Sequence, residues 1–145
     1  SGAYIYTPDL RSSFASDSVT LEIWFNARGA GVIVNELGQT TANSPPWHNS
    51  MLEILPNGEV RAGVWNGATF SVRSVSLGTA QFNTWNHAVL RYNAATQTLD
   101  GLLNGTPAAL SASVNRSSPL DFPATSQVRY AVGAADSFNM GNGSP

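Results

Sequence analysis

The chain contains no cysteine and no lysine, and all seven of its basic residues are arginine. Without cysteine, neither a disulfide framework nor a thiolate metal site can form, so the sequence does not indicate a redox compartment. Only 11% of the residues are charged, and the formal net charge is -2. No run of basic residues is present, which excludes the electrostatic pattern typical of a nucleic-acid-binding protein.

Long hydrophobic runs and familiar catalytic patterns are also missing. No apolar stretch approaches the roughly 20 residues that a membrane-spanning helix needs. The N-terminus lacks the basic and apolar pattern of a signal peptide. The sequence has no Gly-x-Ser-x-Gly, no His-Glu-x-x-His and no glycine-rich phosphate loop. We therefore expect no membrane span and none of these catalytic machineries.

The 145 residues do contain short alternating apolar runs between turn-forming residues. Hydrophobic residues make up 42% of the chain, and 13 glycines and 8 prolines interrupt it. This composition favours strands over helices, and the length suits one domain with its own core. The sequence therefore predicts a single all-β domain over residues 1–145, with its strands alternating between core and solvent.

Two of the alternating runs predict which side chains face away from the core. In VTLEIWF, the apolar residues share one face, and Glu22 and Trp24 share the other. In TWNHAVLRY, the residues opposite to the apolar face include Trp85, His87 and Arg91. We predict that Trp24 and Trp85 are wall residues, and that Trp85 and His87 are structural because the next layer limits access to their strand. We also expect Glu22 and Arg91 to face the same side of one sheet and to pair, because a buried charge without a partner is costly.

Two hairpins follow from the turn residues. After the loop NAATQT, the residues Leu99, Gly101 and Leu103 can meet the apolar face of the preceding strand. In GEVRAGVWNGATFSVR, a two-residue loop would put the apolar residues of the first strand on the same face as Arg73. We prefer a three-residue loop, Asn66-Gly67-Ala68, because it separates apolar from polar residues and lets glycine take a left-handed conformation.

Trp65 with Arg61 and Arg73 is the first candidate ligand site, since the preferred hairpin places all three on its polar face. Sugars present C–H faces that stack on tryptophan and hydroxyl groups that bond to planar polar side chains. The polar segment QTTANSPPWHNS, predicted as a long loop, supplies a second candidate formed by Trp47 and Asn49.

The carboxylates do not form a predicted catalytic pair. The nearest candidates, Glu53 and Glu59, are separated by a Pro-Asn-Gly turn and cannot alternate on one strand face. Retaining glycosidases need two carboxyl groups about 5 Å apart. His87 also lacks a nucleophile or carboxylate partner at a suitable spacing. We therefore predict no catalytic residues and no enzyme.

Four segments resemble, in sequence and order, the blocks of laminin-G-like, concanavalin A-like jelly-roll domains. They are VTLEIWFNARGAGVIVNELG, MLEILPNGEVRAGVWNG, FNTWNHAVLRYNAATQTLDGLLNGTPA and VRYAVGAA, and they cover about residues 3 to 135. The resemblance implies a two-sheet antiparallel jelly-roll sandwich of roughly 12 to 14 strands, used most often for carbohydrate or protein binding. The residues that match the family's blocks are Glu22, Trp24, Trp85, His87, Asn104 and Gly105.

On this resemblance, the expected function is a non-catalytic, lectin-like module of a larger extracellular protein, secreted or on the cell surface. Its expected partner is a polysaccharide or glycan. The alternative is an adhesion or assembly domain that binds another protein chain, and a glycoside hydrolase is a third interpretation. The resemblance is the one reason to consider a calcium site. Such a site would use acidic residues of the family's last strand, and this sequence lacks them.

The sequence stops at SFNMGNGSP, before the last strand that the resemblance places beside the N-terminal strand. The segment GAYIYTP, which includes Tyr4, Ile5 and Tyr6, is therefore expected to form an open edge strand. Its unpaired N–H and C=O groups would be satisfied by another strand. That strand would come from residues beyond Pro145 or, if the chain is complete, from a neighbouring chain that pairs with residues 2–8.

Overall fold

The computed structural model describes residues 5–14, 16–37, 48–69, 71–116 and 127–133, with only the backbone described for residues 48–50. This part of the chain contains strands and one 3-10 turn at Arg11–Ser13, with no α-helix. The strands are β1 (Ile5–Tyr6), β2 (Val19–Phe25), β3 (Gly31–Leu37), β4 (His48–Ile54), β5 (Glu59–Asn66), β6 (Ser71–Thr79), β7 (Asn86–Asn93), β8 (Thr98–Leu103), β9 (Thr106–Pro107), β10 (Ala112–Ser113) and β11 (Arg129–Val132). The described ranges include no helix with the length and apolar character needed to cross a membrane.

The strands form two antiparallel sheets. The six-stranded sheet has the order β1-β11-β3-β4-β5-β6, and the five-stranded sheet has the order β10-β8-β7-β2, with β9 also paired to β8. Side chains from the two inner faces fill the space between the sheets, as expected for a sandwich. The predicted all-β, two-sheet antiparallel sandwich is confirmed.

The central strands show why the alternation predicted the core. On β7, Ala88, Leu90 and Tyr92 are buried, while the residues between them point away from the core. The β7–β8 hairpin has the predicted register, since Leu90 lies opposite Gly101. Apolar residues on both strands define the same face, so only one register buries them all.

The β5–β6 hairpin differs from the prediction. The connection after Asn66 is one residue longer than the preferred three-residue loop, and Trp65 lies opposite Val72. Arg73 lies opposite Val64, whose side chain is fully buried. Arg73 and Trp65 therefore point to opposite faces of the sheet, and the prediction that they share one is wrong.

The reason for this register lies farther along β6. Val75 and Leu77 are buried in the core, so this register turns two large apolar residues of β6 inward. The connection also has its own hydrogen bonds: Asn66 Oδ1 accepts from the backbone N–H of Ala68 at 3.0 Å, and Gly67 N–H donates to Asn115 O at 2.9 Å. The longer connection thus satisfies its polar groups while the larger apolar residues face inward.

The predicted loop Gln39–Ser50 is partly a strand. Strand β4 begins at His48, which pairs with Leu37 of β3. The prediction is therefore wrong for residues 48–50, whose backbone continues the β3–β4 ladder. Residues 38–47 lie outside the described part of the chain.

The N-terminal segment runs along β11. Ile5 pairs with Val132, and Thr7 N–H donates to Tyr130 O at 2.9 Å. Asp9 continues this attachment by accepting the N–H of Val128. Within the described ranges no strand pairs with the other edge of β1, and Tyr4 lies outside them. The open edge at residues 2–8 stays a prediction.

Candidate functional site

The outer face of the six-stranded sheet carries the predicted pair Arg61 and Trp65. Both lie at alternate positions of β5, on the face opposite to its core residues, and Gly63 lies between them. Arg61 Nε donates to Glu59 Oε1 at 3.1 Å. Gly63 places no side chain between the arginine and the indole, and its own surface is buried. Here we call Arg61, Gly63 and Trp65 the β5 cradle.

Two carboxylates accompany the β5 cradle. Glu53 of β4 pairs directly with Arg61, so Glu53 and Glu59 share one face of the sheet although a turn separates them in sequence. They lie on two neighbouring strands, as the turn between them predicted, and do not alternate along one strand. The hydrogen bond from Arg61 lowers the pKa of Glu59, which stays ionised and accepts hydrogen bonds. Glu53 is buried. Neither carboxylate matches an exposed general acid.

Of the other predicted site residues, Arg73 does not join this cradle, and the side chains of Trp47 and Asn49 lie outside the described part of the chain. Arg73 is exposed on the opposite face of the sheet. Asn49 belongs to β4, where its backbone pairs with Glu36, and its side chain is not described. Trp47 lies outside the described residues. Of the five predicted residues, Arg61 and Trp65 are therefore the two that the structure brings together.

A second aromatic surface lies on the outer face of the five-stranded sheet. Trp24 and Trp85 are 63% and 67% exposed. Trp24 pairs with His87, and their rings stack with centroids 4.7 Å apart at an interplanar angle of 27°. His87 Nε2 lies 2.8 Å from Glu22 Oε1. We call Trp24, Trp85, His87 and Glu22 the aromatic platform.

The prediction that the next layer shields these tryptophans is wrong. Alternation correctly placed Trp24 and Trp85 on the face away from the core, but it could not tell whether another layer covers that face. Trp24 also lies on β2, which is at one end of the five-stranded sheet as described. The sequence did contain a signal for this exposed surface: a tryptophan occurs on the side away from the core in each of two segments that form neighbouring strands.

The charged residues beside the platform find other partners than predicted. Glu22 and Arg91 do face the same side of the sheet. Glu22 pairs with His87, however, while Arg91 Nε donates to Asp100 Oδ1 at 2.7 Å. Asp100 lies directly opposite Arg91 in the β7–β8 ladder. Arg91 therefore pairs with the residue directly across from it, because directly opposite side chains on one face of a sheet are closest to each other.

Two cavities flank this sheet. A groove of about 420 Å³ lies beside Trp24 and Trp85, and its lining includes core-facing residues from both sheets, among them Ile23, Phe25 and Ile54. A second cavity of about 600 Å³ lies toward the other end of the strands and is lined mostly by residues with polar side chains. Its lining includes Thr20, Arg91, Thr98 and Asp100, which we call the polar cleft.

The resemblance allows for a calcium ion, but the described residues do not include a set of side chains that would bind it. In the ranges that the structure describes, no three His, Asp or Glu side chains converge closely enough to hold a metal ion. Hard cations such as calcium need several oxygen ligands around one point.

The family comparison covers nearly the whole chain. A laminin-G-type family model, described as the concanavalin A-like lectin/glucanases superfamily, matches residues 1–142. The chain belongs to this superfamily. A comparison with curated protein sequences finds no match.

Solved structures share the fold at low sequence identity. The mouse laminin alpha1 chain, domains LG4-5, has 16% identity and a TM-score of 0.59, with coverage of 96% of this chain and 34% of that one. The Ruminococcus gnavus IT-sialidase CBM40 bound to alpha2,6 sialyllactose has 13% identity and a TM-score of 0.58, with coverage of 90% and 86%. The heptameric SAP-like pentraxin from Limulus polyphemus has 14% identity and a TM-score of 0.52, with coverage of 88% and 56%. This chain therefore spans about half the length of the pentraxin and about a third of the laminin fragment.

Proposed function

We propose that this chain is a non-catalytic carbohydrate-binding module of an extracellular protein, either secreted or held at the cell surface. The observation that carries the proposal is the β5 cradle, in which Arg61 and Trp65 share one outer face with Gly63 between them. The fold that the chain shares with a sialyllactose-bound CBM40 supports the same ligand class. Fold similarity alone does not identify a function, so the residues of the cradle must carry the argument.

The β5 cradle offers the two contacts that a sugar ring needs. The half-buried indole of Trp65 provides an apolar surface for C–H groups. Arg61 can donate hydrogen bonds to hydroxyl or carboxylate oxygens, and Glu59 holds its guanidinium in place. Because the Arg61 side chain is already fixed, less conformational entropy is lost when a ligand binds.

Replacing Trp65 with alanine should weaken carbohydrate binding by about 1–3 kcal/mol, equivalent to about 5- to 150-fold in Kd. The loss follows from the removed stacking surface. A glycan array would identify a ligand, and isothermal titration calorimetry would then compare the variants. Arg73→Ala is the matched control, because Arg73 is exposed on the other face and should leave affinity unchanged.

The predicted loop tryptophan provides a further comparison for this proposal. Trp47→Ala should weaken binding only if the ligand also contacts that segment. Unchanged affinity in both Trp65→Ala and Trp47→Ala would contradict the proposed site and favour protein binding instead.

Assembly through strand addition is the second candidate function, and β2 favours it because the described residues leave this strand at the end of its sheet. Its core-facing residues Leu21 and Ile23 are only half-buried, whereas Ala88 and Leu90 on the central strand β7 are fully buried. An extended strand beside β2 would cover them and pair with its backbone. Hydrogen exchange tests pairing between copies, since protection of β2 or residues 5–8 should rise with protein concentration. Protection that is independent of concentration would contradict it.

A further inference from the structure

We propose that the outer face of the five-stranded sheet is a second saccharide-binding surface, on which an oligosaccharide extends from the aromatic platform to the polar cleft. The inference rests on the proposed carbohydrate function for its ligand class. It uses none of the residues of the β5 cradle, which lies on the other sheet. The two surfaces can therefore be tested separately.

The strand register aligns the platform and the cleft on one face. Along β2, Trp24, Glu22 and Thr20 occupy alternate outward positions. At about 3.3 Å per residue, Trp24 and Thr20 are about 13 Å apart along the strand. On β7, the outward residues run in the same order from His87 to Arg91, because the ladder pairs Trp24 with His87 and Thr20 with Arg91. A linear ligand along the strands would meet aromatic groups first and polar groups second.

The aromatic platform is already ordered for stacking. The ring of Trp24 lies against His87, and His87 Nε2 is held by Glu22. The indoles of Trp24 and Trp85 nevertheless keep most of their surface exposed, so an apolar sugar face can still cover them. The Glu22 side chain is 64% exposed. Its carboxylate can accept hydroxyl hydrogen bonds beside the stacked ring.

The polar cleft supplies the complementary groups for a second sugar unit. Arg91 and Asp100 fix one another through a 2.7 Å contact. Arg91 has further N–H donors, and the hydroxyl groups of Thr20 and Thr98 can donate or accept. Planar charged groups beside hydroxyl side chains suit the ring hydroxyls of a saccharide.

The backbone arrangement favours a saccharide over a peptide on this face. Peptide recognition by strand addition requires unpaired N–H and C=O groups at a sheet edge. On the outer face, the main-chain groups of β7 are engaged on both sides, with β2 and with β8. A ligand above β7 therefore meets side chains alone, and those side chains offer stacking surfaces and hydroxyl partners.

Calorimetric titration of the intact chain with the array-identified glycan, from monosaccharide to hexasaccharide, tests the inference. We expect affinity to rise with ligand length and two binding sites per chain. The double variant Trp24→Ala with Trp85→Ala should weaken binding at one site, and Trp65→Ala should weaken binding at the other by about 5- to 150-fold. Thr98→Ala with Asp100→Asn should weaken the longer ligands by about tenfold while leaving the monosaccharide unaffected. Because the changed residues are exposed or half-buried, thermal unfolding should confirm that each variant stays folded.

The possible outcomes separate this inference from the proposed function. If Trp65→Ala abolishes all binding and the platform variant changes nothing, the second surface is wrong and the β5 cradle stands. If the platform variant alone abolishes binding, the second surface stands and the cradle is wrong. If no saccharide binds, both fail. Protection of the platform tryptophans from acrylamide quenching that persists after glycosidase treatment of the protein isolated from its source would show that a polypeptide covers them, and would overturn the inference.

Discussion

Replacing Arg116 with methionine should lower the free energy of unfolding by about 3–5 kcal/mol. Arg116 NH2 donates to Glu36 Oε1 at 2.7 Å, and the two side chains are 0% and 3% exposed. The guanidinium also donates to Asp17 O at 3.0 Å and lies 6.0 Å from the centroid of the Tyr92 ring. Methionine would remove all of these contacts and leave the Glu36 carboxylate buried without its counter-charge.

Among the described residues, Tyr130 also donates a hydrogen bond to Glu36, but it could not replace Arg116. Tyr130 OH donates to the same Oε1 at 3.0 Å. Burial, followed by the nearby charge of Glu36, raises the pKa of Tyr130, so its phenol stays protonated and neutral. A neutral donor satisfies one hydrogen bond but does not compensate a buried charge.

Chemical denaturation of Arg116→Met measures this effect. Arg91→Met is the matched control, because its ion pair with Asp100 is partly exposed and should contribute only about 0–1 kcal/mol. A double variant, Arg116→Met with Glu36→Met, should be more stable than the single one, since it removes the unpaired charge as well. Equal stability of Arg116→Met and the unmodified chain would contradict a stabilising role for this ion pair.

The Arg116–Glu36 pair also marks the limit of prediction from alternating patterns. Its partners are 80 residues apart in sequence, and Arg116 belongs to none of the apolar runs. Its backbone is positioned by a bridge to Asn66 at the end of β5 and by a hydrogen bond from its N–H to Tyr92 OH. Alternation predicts which residues of a strand share a face, but it carries no information on which loop residue enters the space between two sheets.

In the candidate site, too, alternation predicts which residues of one strand share a face but not how two strands are aligned. Arg61 and Trp65 lie on one strand, so their common face follows from the two-residue period. Whether Arg73 joins them depends on the length of a connection, and a change of one residue moves every side chain of β6 to the other face. The β7–β8 register was predictable because both strands carry a clear apolar set, whereas β6 places Val72 and Val75 on opposite faces.

Replacing Gly101 with alanine should destabilise the sandwich at the upper end of the roughly 1–3 kcal/mol typical of overpacking. Gly101 lies opposite Leu90 in the β7–β8 ladder. A Cβ atom there would overlap the carbonyl oxygen of Val89 and lie 2.8 Å from Leu77 Cδ2. Leu77 belongs to the other sheet, so the added methyl group would press on both layers.

Neither neighbour of Gly101 can yield at low cost. The carbonyl oxygen is part of the β7 backbone, which is held by ladders on both sides. Leu77 is buried, and close-packed interiors leave little room for a side chain to move.

Gly29→Ala is the matched control, since a Cβ there meets nothing within 4 Å, and it should change stability by about 0.5 kcal/mol or less. Denaturant unfolding of both variants distinguishes a steric requirement for glycine from a general effect of adding a methyl group. If Gly101→Ala were as stable as Gly29→Ala, the two sheets would have to separate locally at little cost, and the tight packing of β8 against β6 would be wrong.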